Sequence, residues 1–180
     1  MDLETLLARA HELDDEALAQ IHDQYYPIVF RYARYRLDDE QLVEDIASEV
    51  FLRFLNTLHR GASEIRDLRA WLLGTTANLV NDHLRQKYRK PVENLEDFEH
   101  LTMDSTPEFT LEGSEQNRRV RQALLSLTDE QQHVLTLRFA LDCSIEETAR
   151  MMRKSTGAVK TLQFRAIASL RRLLERGDGE

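Results

Sequence analysis

The side chains best suited to bind a nucleic acid lie near the C-terminus, in a segment that predicts a helix over residues 155–174. At 100° per residue its apolar positions form one stripe, which predicts a buried face: Val159, Leu162, Ala166, Leu170 and Leu173. The other side carries Lys160, Thr161, Phe164 and Arg165. Cationic side chains can bind phosphates or guanine edges, and an aromatic ring can contact a thymine methyl group. This face therefore predicts DNA binding; a Phe164 packed on the preceding helix and ordinary solvation of Lys160 and Arg165 are the alternatives.

The residues before this helix predict the turn that a helix-turn-helix unit requires. Ser144 can cap a short helix, and Glu147 three residues later completes a capping box. A short basic turn follows at residues 153–154, after which Ser155 or Thr156 can cap the long helix. Two helices joined so closely form a helix-turn-helix, whose second helix lies in the DNA major groove.

A supporting helix is predicted upstream of this turn, over residues 124–141. Thr128 can cap it, with Glu130 and Gln131 in its first turn. Its apolar positions are candidates for the core and need no further function: Leu127, Val134, Leu135, Leu137 and Phe139.

A second candidate surface lies on a helix predicted over residues 41–58, where charges run beside an apolar seam. The seam consists of four residues at four-residue steps: Leu42, Ile46, Val50 and Phe54. Asp45, Glu49 and Arg53 follow the same steps outside it, as expected of a polar contact with a partner helix. A row of i,i+4 salt bridges on an ordinary solvated surface is the alternative.

A third candidate surface lies on a helix predicted over residues 67–88, which carries small and polar residues along one side. They are Gly74, Ala77, Asn78, Asn81 and Arg85. Small residues let a backbone come close, and amide and guanidinium groups can hydrogen-bond to bases or phosphates. Trp71 borders this strip, and a core position is its alternative.

The whole sequence predicts an almost entirely helical chain, divided into two parts by a linker. Residues 14–37 predict a first long helix, with a kink or a break at Pro27. Residues 59–63 predict a loop, because Gly61 follows the last residue of the helical pattern. Residues 92–116 contain no basic residue and show no period, which predicts an acidic linker of low order; a packed segment is the alternative.

Charge alternates along the chain, although its net value is −8. Residues 65–90 contain six basic and two acidic side chains, and residues 118–176 contain twelve and six. The other long blocks are acidic: residues 1–64 contain 14 acidic and six basic side chains, and residues 91–117 contain eight acidic and no basic ones. Because a phosphate responds to the charge within about 8–10 Å of it, the two basic blocks remain compatible with nucleic-acid binding.

Composition argues against an enzyme, a membrane protein and a disulfide-stabilised domain. The six histidines are scattered, and the sequence has neither an HExxH motif nor a Gly-rich phosphate loop, so we predict no catalytic residue, metal site or cofactor. Asp97, Glu99 and His100 could in principle hold a metal, but they fall in the predicted linker. Cys143 is the only cysteine, and the apolar runs are too short to span a bilayer. We expect a protein of the reducing cytoplasm, without membrane insertion.

Three C-terminal motifs resemble the promoter minus-35-reading domain of extracytoplasmic-function sigma factors: L-T-D-E-Q-Q-H-V-L-T-L-R-F (127–139), S-I-E-E-T-A-R-M-M (144–152) and T-G-A-V-K-T-L-Q-F-R-A (156–166). Residues 44–54, E-D-I-A-S-E-V-F-L-R-F, look like the family's polymerase-clamp-binding helix. Residues 70–85, A-W-L-L-G-T-T-A-N-L-V-N-D-H-L-R, look like the helix that opens and reads the minus-10 element. Residues 25–33, Y-Y-P-I-V-F-R-Y-A, fit the family's opening helix.

The resemblance implies an all-α fold of two small helical domains joined by a flexible acidic linker. Residues 1–90 would bind core polymerase and recognise and melt the minus-10 element. Residues 91–117 would form the linker, and residues 118–176 would read the minus-35 element with the helix-turn-helix. The implied partners are core RNA polymerase, promoter DNA and an anti-sigma factor.

The resemblance also assigns site residues. Those for core polymerase binding are Asp45, Ser48, Glu49, Phe51, Leu52 and Arg53. Those for the minus-10 element are Gly61, Ser63, Arg66, Trp71, Asn78, Asn81 and Arg85. The loop at residues 61–66 would hold a base flipped out of the non-template strand. Those for the minus-35 element are Ser155, Thr156, Lys160, Thr161, Phe164 and Arg165.

Three positions depart from the family's pattern. Ser48 replaces the glutamine usual in the clamp-binding motif, which can alter core binding. Ala158 replaces a common threonine and Leu162 a frequent arginine in the recognition helix, so the promoter sequence does not transfer by analogy. The main alternative function is a stand-alone helix-turn-helix regulator, which would bind a palindromic site as a dimer without polymerase. A protein-interaction module, with binding insensitive to salt, is a third reading.

Overall fold

Every regular element in the described part of the chain is helical. A computed structural model describes residues 3–61, 65–88 and 115–177. Its helices are α1 (Leu3–His11), α2 (Asp15–Arg36), α3 (Glu40–His59), α4 (Leu68–Tyr88), α5 (Glu115–Leu125), α6 (Asp129–Leu135), α7 (Ile145–Met152) and α8 (Thr156–Gly177), and a π-helical turn (Thr136–Ala140) follows α6. The chain divides into two compact units, Met1–Val80 and Asn81–Glu180. The all-α prediction is confirmed, while most of the predicted linker at 91–117 lies outside the described residues.

The first unit has a core built from the apolar faces of its helices. α2 and α3 turn apolar side chains inward at three- and four-residue steps: Ile21, Tyr25, Val29, Tyr32, Val43, Ile46, Val50 and Phe54. Asp14, Asp39 and Asp67 cap α2, α3 and α4, because each carboxylate accepts a first-turn backbone N–H, at 2.9, 3.2 and 2.9 Å. α1 was not predicted; it buries Leu6 and Ala10 and packs against α2.

Pro27 lies inside α2 and does not break it, so of the predicted kink or break, the break does not occur. The helix runs uninterrupted from Asp15 to Arg36. Proline removes one backbone donor, and the carbonyl left without it belongs to Asp23, four residues earlier. Both Pro27 and Asp23 are exposed. Water can therefore hydrogen-bond to that carbonyl, which explains why the helix continues.

The second unit differs from the prediction in its supporting segment, which is not one helix over residues 124–141. α5 ends at Leu125, and Thr128 takes an extended conformation and caps α6, with Gln131 completing a capping box. The local preference of threonine for an N-cap therefore ends one helix and starts another. The segment then closes as a π-helical turn, in which the Leu141 N–H donates to the Thr136 carbonyl at 3.3 Å.

The helix-turn-helix is formed as predicted. Ser144 caps α7 and Glu147 completes its capping box. Arg153 takes a left-handed conformation (φ 53°), and the next N–H, that of Lys154, returns to the Ala149 carbonyl at 2.9 Å, which ends α7. Ser155 then caps α8, since its Oγ accepts the Ala158 N–H at 3.1 Å.

Candidate nucleic-acid and partner interfaces

The first three turns of α8 present one solvent-exposed face, and it contains most of the predicted duplex-reading residues. Val159 and Ala166 are fully buried on the inner side of the helix. Five of the predicted residues are exposed on the opposite side or at the cap: Ser155, Thr156, Lys160, Thr161 and Arg165. Phe164 lies on this side but is half-buried, so the ring is divided between packing and solvent. The DNA major groove admits an α-helix, so an exposed helix face of this kind can contact base edges there.

The electrostatics of this face favour an anion. Between residues 150 and 165 the sequence contains five basic and no acidic side chains. Lys154 pairs with Glu130 across the unit, at 2.9 Å, whereas Arg150, Arg153, Lys160 and Arg165 all project into solvent. The first turn of α8 also directs backbone N–H groups outward, and a helix N-terminus of this kind attracts phosphates.

The outer face of α3 combines apolar and charged side chains. Asp45, Ser48 and Arg53 are exposed and Glu49 is half-buried; the Glu49 carboxylate accepts from Nε of Arg53 at 2.8 Å. Leu52, on the same face, is 54% exposed. Leu55, one turn further along, is 38% exposed. The sequence analysis assigned Leu52 to polymerase binding but did not assign Leu55. Leu55 is not next to a charged row in the sequence pattern, and sequence alone cannot distinguish an exposed leucine from a core leucine.

Phe51 belongs to an aromatic cluster rather than to the open surface of α3. It is 8% exposed, and its ring centroid lies 4.8 Å from that of His22 and 6.2 Å from that of Tyr26, both on α2. Tyr26 stacks in turn on Phe30 at 6.0 Å. Phe51 therefore fixes α3 against α2, and its own part in binding a partner stays a prediction.

A cleft of about 420 Å³ opens between α3 and α4. The described residues that line it are polar, cationic or aromatic, and none of them is acidic: Arg53, Asn56, Thr57, Arg60, Trp71, Thr75 and Asn78. Trp71 is half-buried, with its ring 6.0 Å from that of Phe54 and the remainder facing the cleft. Of the predicted minus-10 residues the cleft thus brings together Trp71 and Asn78. It adds Asn56, Thr57, Arg60 and Thr75, which the sequence motifs had not singled out.

The other predicted minus-10 residues are distributed differently. Asn81 is buried, and its Oδ1 has no hydrogen-bond partner among the described residues, so it is not on the solvent face where the strip pattern put it. Arg85 is exposed and pairs with Asp82 at 3.5 Å. Gly61 is exposed with φ +60°, and Arg66 is exposed after the loop. Ser63 lies outside the described residues.

The described ranges, 3–61, 65–88 and 115–177, contain no cluster of three metal-ligating side chains. The linker residues Asp97, Glu99 and His100 are not among them. Within the same ranges none of the helices combines the length and apolar character that crossing a bilayer requires.

Comparison with known proteins matches both halves of the chain. The family model for Sigma-70 region 2 matches residues 21–90, and that for Sigma-70, region 4 matches residues 123–172. The chain is 38% identical over 170 residues to the ECF RNA polymerase sigma factor BldN of Streptomyces coelicolor; the match covers 94% of this chain and 64% of BldN. It is 30% identical over 166 residues to the ECF RNA polymerase sigma factor SigX of Bacillus subtilis, covering 89% of this chain and 85% of SigX.

A solved structure agrees with the fold. The structure of CnrH in complex with the cytosolic domain of CnrY has a TM-score of 0.65 and 22% sequence identity, and the match covers 96% of each chain. The two matched regions contain the α3 face and the cleft in one case and the α8 face in the other. The chain belongs to the extracytoplasmic-function sigma factors of RNA polymerase.

Proposed function

We propose that the chain binds core RNA polymerase through α3 and directs it to promoters by reading the minus-10 element with the α3–α4 cleft and the minus-35 element with α8. The observation that carries the proposal is the outer face of α3. Leu52 and Leu55 are both exposed there, beside Asp45, Ser48 and the Glu49–Arg53 pair. An apolar centre with a polar rim is the composition of a protein interface. A stand-alone regulator would use such a face only to dimerise, so the partner bound there distinguishes the two functions.

The proposed polymerase-binding role of α3 depends on the apolar surface that a docked partner would bury. Exposed single leucines are common on protein surfaces, but two on one helix face, three residues apart, form one apolar contact. Burial of the two removes apolar area from water and supplies affinity, while the charged row sets orientation and partner choice. Asp45, Ser48, Glu49, Leu52 and Arg53 are the proposed contacts, with Leu55 added and Phe51 supporting the helix from beneath.

The cleft is suited to an unpaired base. Trp71 offers a ring face on which a base can stack, which contributes about 1–3 kcal/mol per base in single-strand binding. Asn56, Asn78 and Thr75 supply donors and acceptors, and Arg60 supplies a positive charge for a phosphate. We assign the minus-10 role to this cleft together with Gly61, Ser63, Arg66 and Arg85, as the family resemblance implies; Asn81, which the resemblance also implies, is buried and is assigned no base contact.

The face of α8 is suited to a duplex. Lys160, Thr161 and Arg165 stand on one exposed side, with Ser155 and Thr156 at the start of the helix for phosphates. A half-buried Phe164 can meet a thymine methyl group with its outer edge. Residues 91–117 would connect the two reading surfaces, so that residues 1–90 and 118–176 act on one promoter.

The proposal extends to partners and place of action. An anti-sigma factor that covers one of these surfaces is included, because the family resemblance implies one; CnrH, which shares the fold, was solved with the cytosolic domain of CnrY bound. The cytoplasm is the proposed location, since polymerase and chromosomal DNA are there. No catalytic step, metal or cofactor is assigned to the chain.

Promoter binding with and without core polymerase separates this function from its main alternative. A labelled duplex with a genomic promoter should bind the isolated chain weakly and bind much more tightly once core polymerase is added. Binding in both states should weaken with salt, because phosphates are neutralised by basic side chains. Tight, dimeric binding to a palindromic site that core polymerase does not alter would instead establish the stand-alone regulator.

A further inference from the structure

Arg138 joins three segments of the helix-turn-helix unit. It lies in the π-helical turn Thr136–Ala140 and is half-buried. Its Nε donates to Oε1 of Gln163, in the second turn of α8, at 2.9 Å, and its Nη1 donates to the carbonyl oxygen of Cys143. Cys143 immediately precedes Ser144, the cap of α7. One side chain therefore connects the supporting segment, the start of α7 and the recognition helix.

The acceptors of Arg138 are themselves held in place. Cys143 is buried, and its backbone N–H donates to the Leu137 carbonyl at 3.0 Å, so the loop before α7 is attached to the π-turn from both sides. The planar guanidinium presents its donors in a fixed fork, which limits the directions in which the two acceptors can lie.

The position of Gln163 makes this connection relevant to DNA reading. It precedes Phe164 directly and lies between the buried stripe, with Val159 and Ala166, and the exposed face of α8. A rotation of α8 about its axis would turn the whole exposed face. Recognition needs its side chains held within about 0.5 Å and 10–20° of their productive geometry. A bond at the border between the two faces restrains this rotation.

We propose that Arg138 is a positioning residue for duplex recognition. It fixes the rotation of α8 relative to α7 and to the π-helical turn Thr136–Ala140, and it touches no base itself. The proposal rests on the proposed function of α8. It predicts a specific signature, since loss of a direct contact affects one base position, whereas loss of a positioning bond affects every base position read from α8.

The simplest competing role is a direct phosphate contact. A phosphate-binding arginine contributes affinity uniformly across sequences, and its loss lowers the salt dependence of binding by about one unit of slope. A positioning arginine contributes discrimination and leaves the slope unchanged. The two roles are therefore separable in one set of titrations.

The experiment uses the full chain bound to core polymerase. The affinity for a promoter duplex and for a set of single-base variants across the minus-35 element is measured at several salt concentrations. We expect the wild type to discriminate by roughly tenfold or more per mismatch. Arg138→Met should reduce this to about threefold or less at every position, with an unchanged salt slope. Arg176→Met removes the same charge from the exposed last turn of α8 and should keep the wild-type discrimination.

Two further variants keep the test informative if Arg138→Met unfolds. Gln163→Leu removes only the bond to α8 and leaves the Cys143 carbonyl bonded, and it should reduce discrimination at all positions. Arg138→Lys keeps the charge but loses the fork, so its discrimination should fall between those of wild type and Arg138→Met. Unchanged discrimination in Gln163→Leu, or a uniform affinity loss with a lower salt slope in Arg138→Met, would overturn the proposal. A wild type that does not discriminate would overturn the function proposed for α8 as well.

Discussion

Replacement of the two exposed leucines of α3 by alanine, in the double variant Leu52→Ala/Leu55→Ala, tests the polymerase-binding surface. Leu52 is 54% exposed and Leu55 38% exposed, so together they leave about one leucine side chain in water. The remainder of each side chain already packs within the first unit. The variant therefore removes apolar surface that only a partner can bury, together with the part of each side chain that packs within the first unit.

The expected loss of affinity follows from this area. Full burial of one leucine side chain contributes about 1.5–3 kcal/mol. Alanine keeps the Cβ, so the double variant should lose about 1–2 kcal/mol of binding free energy, or roughly 5- to 30-fold in Kd for core polymerase. The free energy of unfolding should fall by roughly 0.5–1 kcal/mol per site, because alanine also removes the part of each side chain that packs within the first unit.

The assay is an equilibrium titration of fluorescently labelled chain with core RNA polymerase, together with urea denaturation of the same samples. Leu3→Ala is the matched control, because Leu3 is 40% exposed and belongs to α1 rather than to the proposed set of α3 contacts. It should bind like the wild type. A double variant that also binds like the wild type, or a control that loses as much affinity, would refute the assignment of this face.

Three other predictions concern single residues. Arg165→Ala should cost about 1–3 kcal/mol at one base position of the minus-35 element, measured with the holoenzyme on single-base variants, and equal losses at all positions would contradict direct reading. Gly61→Val should lower the free energy of unfolding by roughly 1–2 kcal/mol, because φ is +60° at this position and a branched side chain is strained there. A Cβ at this position would meet open space, so a steric clash would not be the cause. An unchanged urea midpoint would contradict this backbone strain. The Ala17 N–H and then Arg9 hold the pKa of Asp14 below its usual value. The stability that the charged form of Asp14 gives is therefore present at neutral pH and lost as pH falls through this lowered pKa, so the Tm difference from Asp14→Asn should vanish in acid, and a constant difference would contradict it.

The features that sequence predicted correctly are those set by neighbouring residues. Ser144 and Glu147 form the predicted capping box, and Thr128 caps a helix as predicted, because each cap depends only on residues within one turn of it. The inward stripe of α8 follows in the same way from helical spacing, and Val159 and Leu170 are fully buried. The helix-turn-helix and the all-α class could therefore be predicted before any contact was known.

The features that sequence missed depend on contacts between distant segments or on solvent. Phe51 looks like a surface residue of α3 until two aromatic side chains of α2 cover it. The cleft needs α3 and α4 side by side, so Arg60 and Thr75 gave no signal. The hydrogen bond between Arg138 and Gln163 joins residues that are 25 positions apart, so no local sequence pattern predicts it. A break at Pro27 was one of the two expected outcomes, and α2 continues through this position.

Run-off transcription by reconstituted polymerase tests whether the chain directs core RNA polymerase to promoters. Core RNA polymerase alone and core polymerase with the purified chain are supplied with the same genomic promoter fragments, and transcript 5′ ends are mapped. We expect transcripts that start at defined sites only when the chain is present, and a lower yield of these transcripts with Leu52→Ala/Leu55→Ala. Identical, unspecific initiation with and without the chain, on fragments from across its genome, would contradict it.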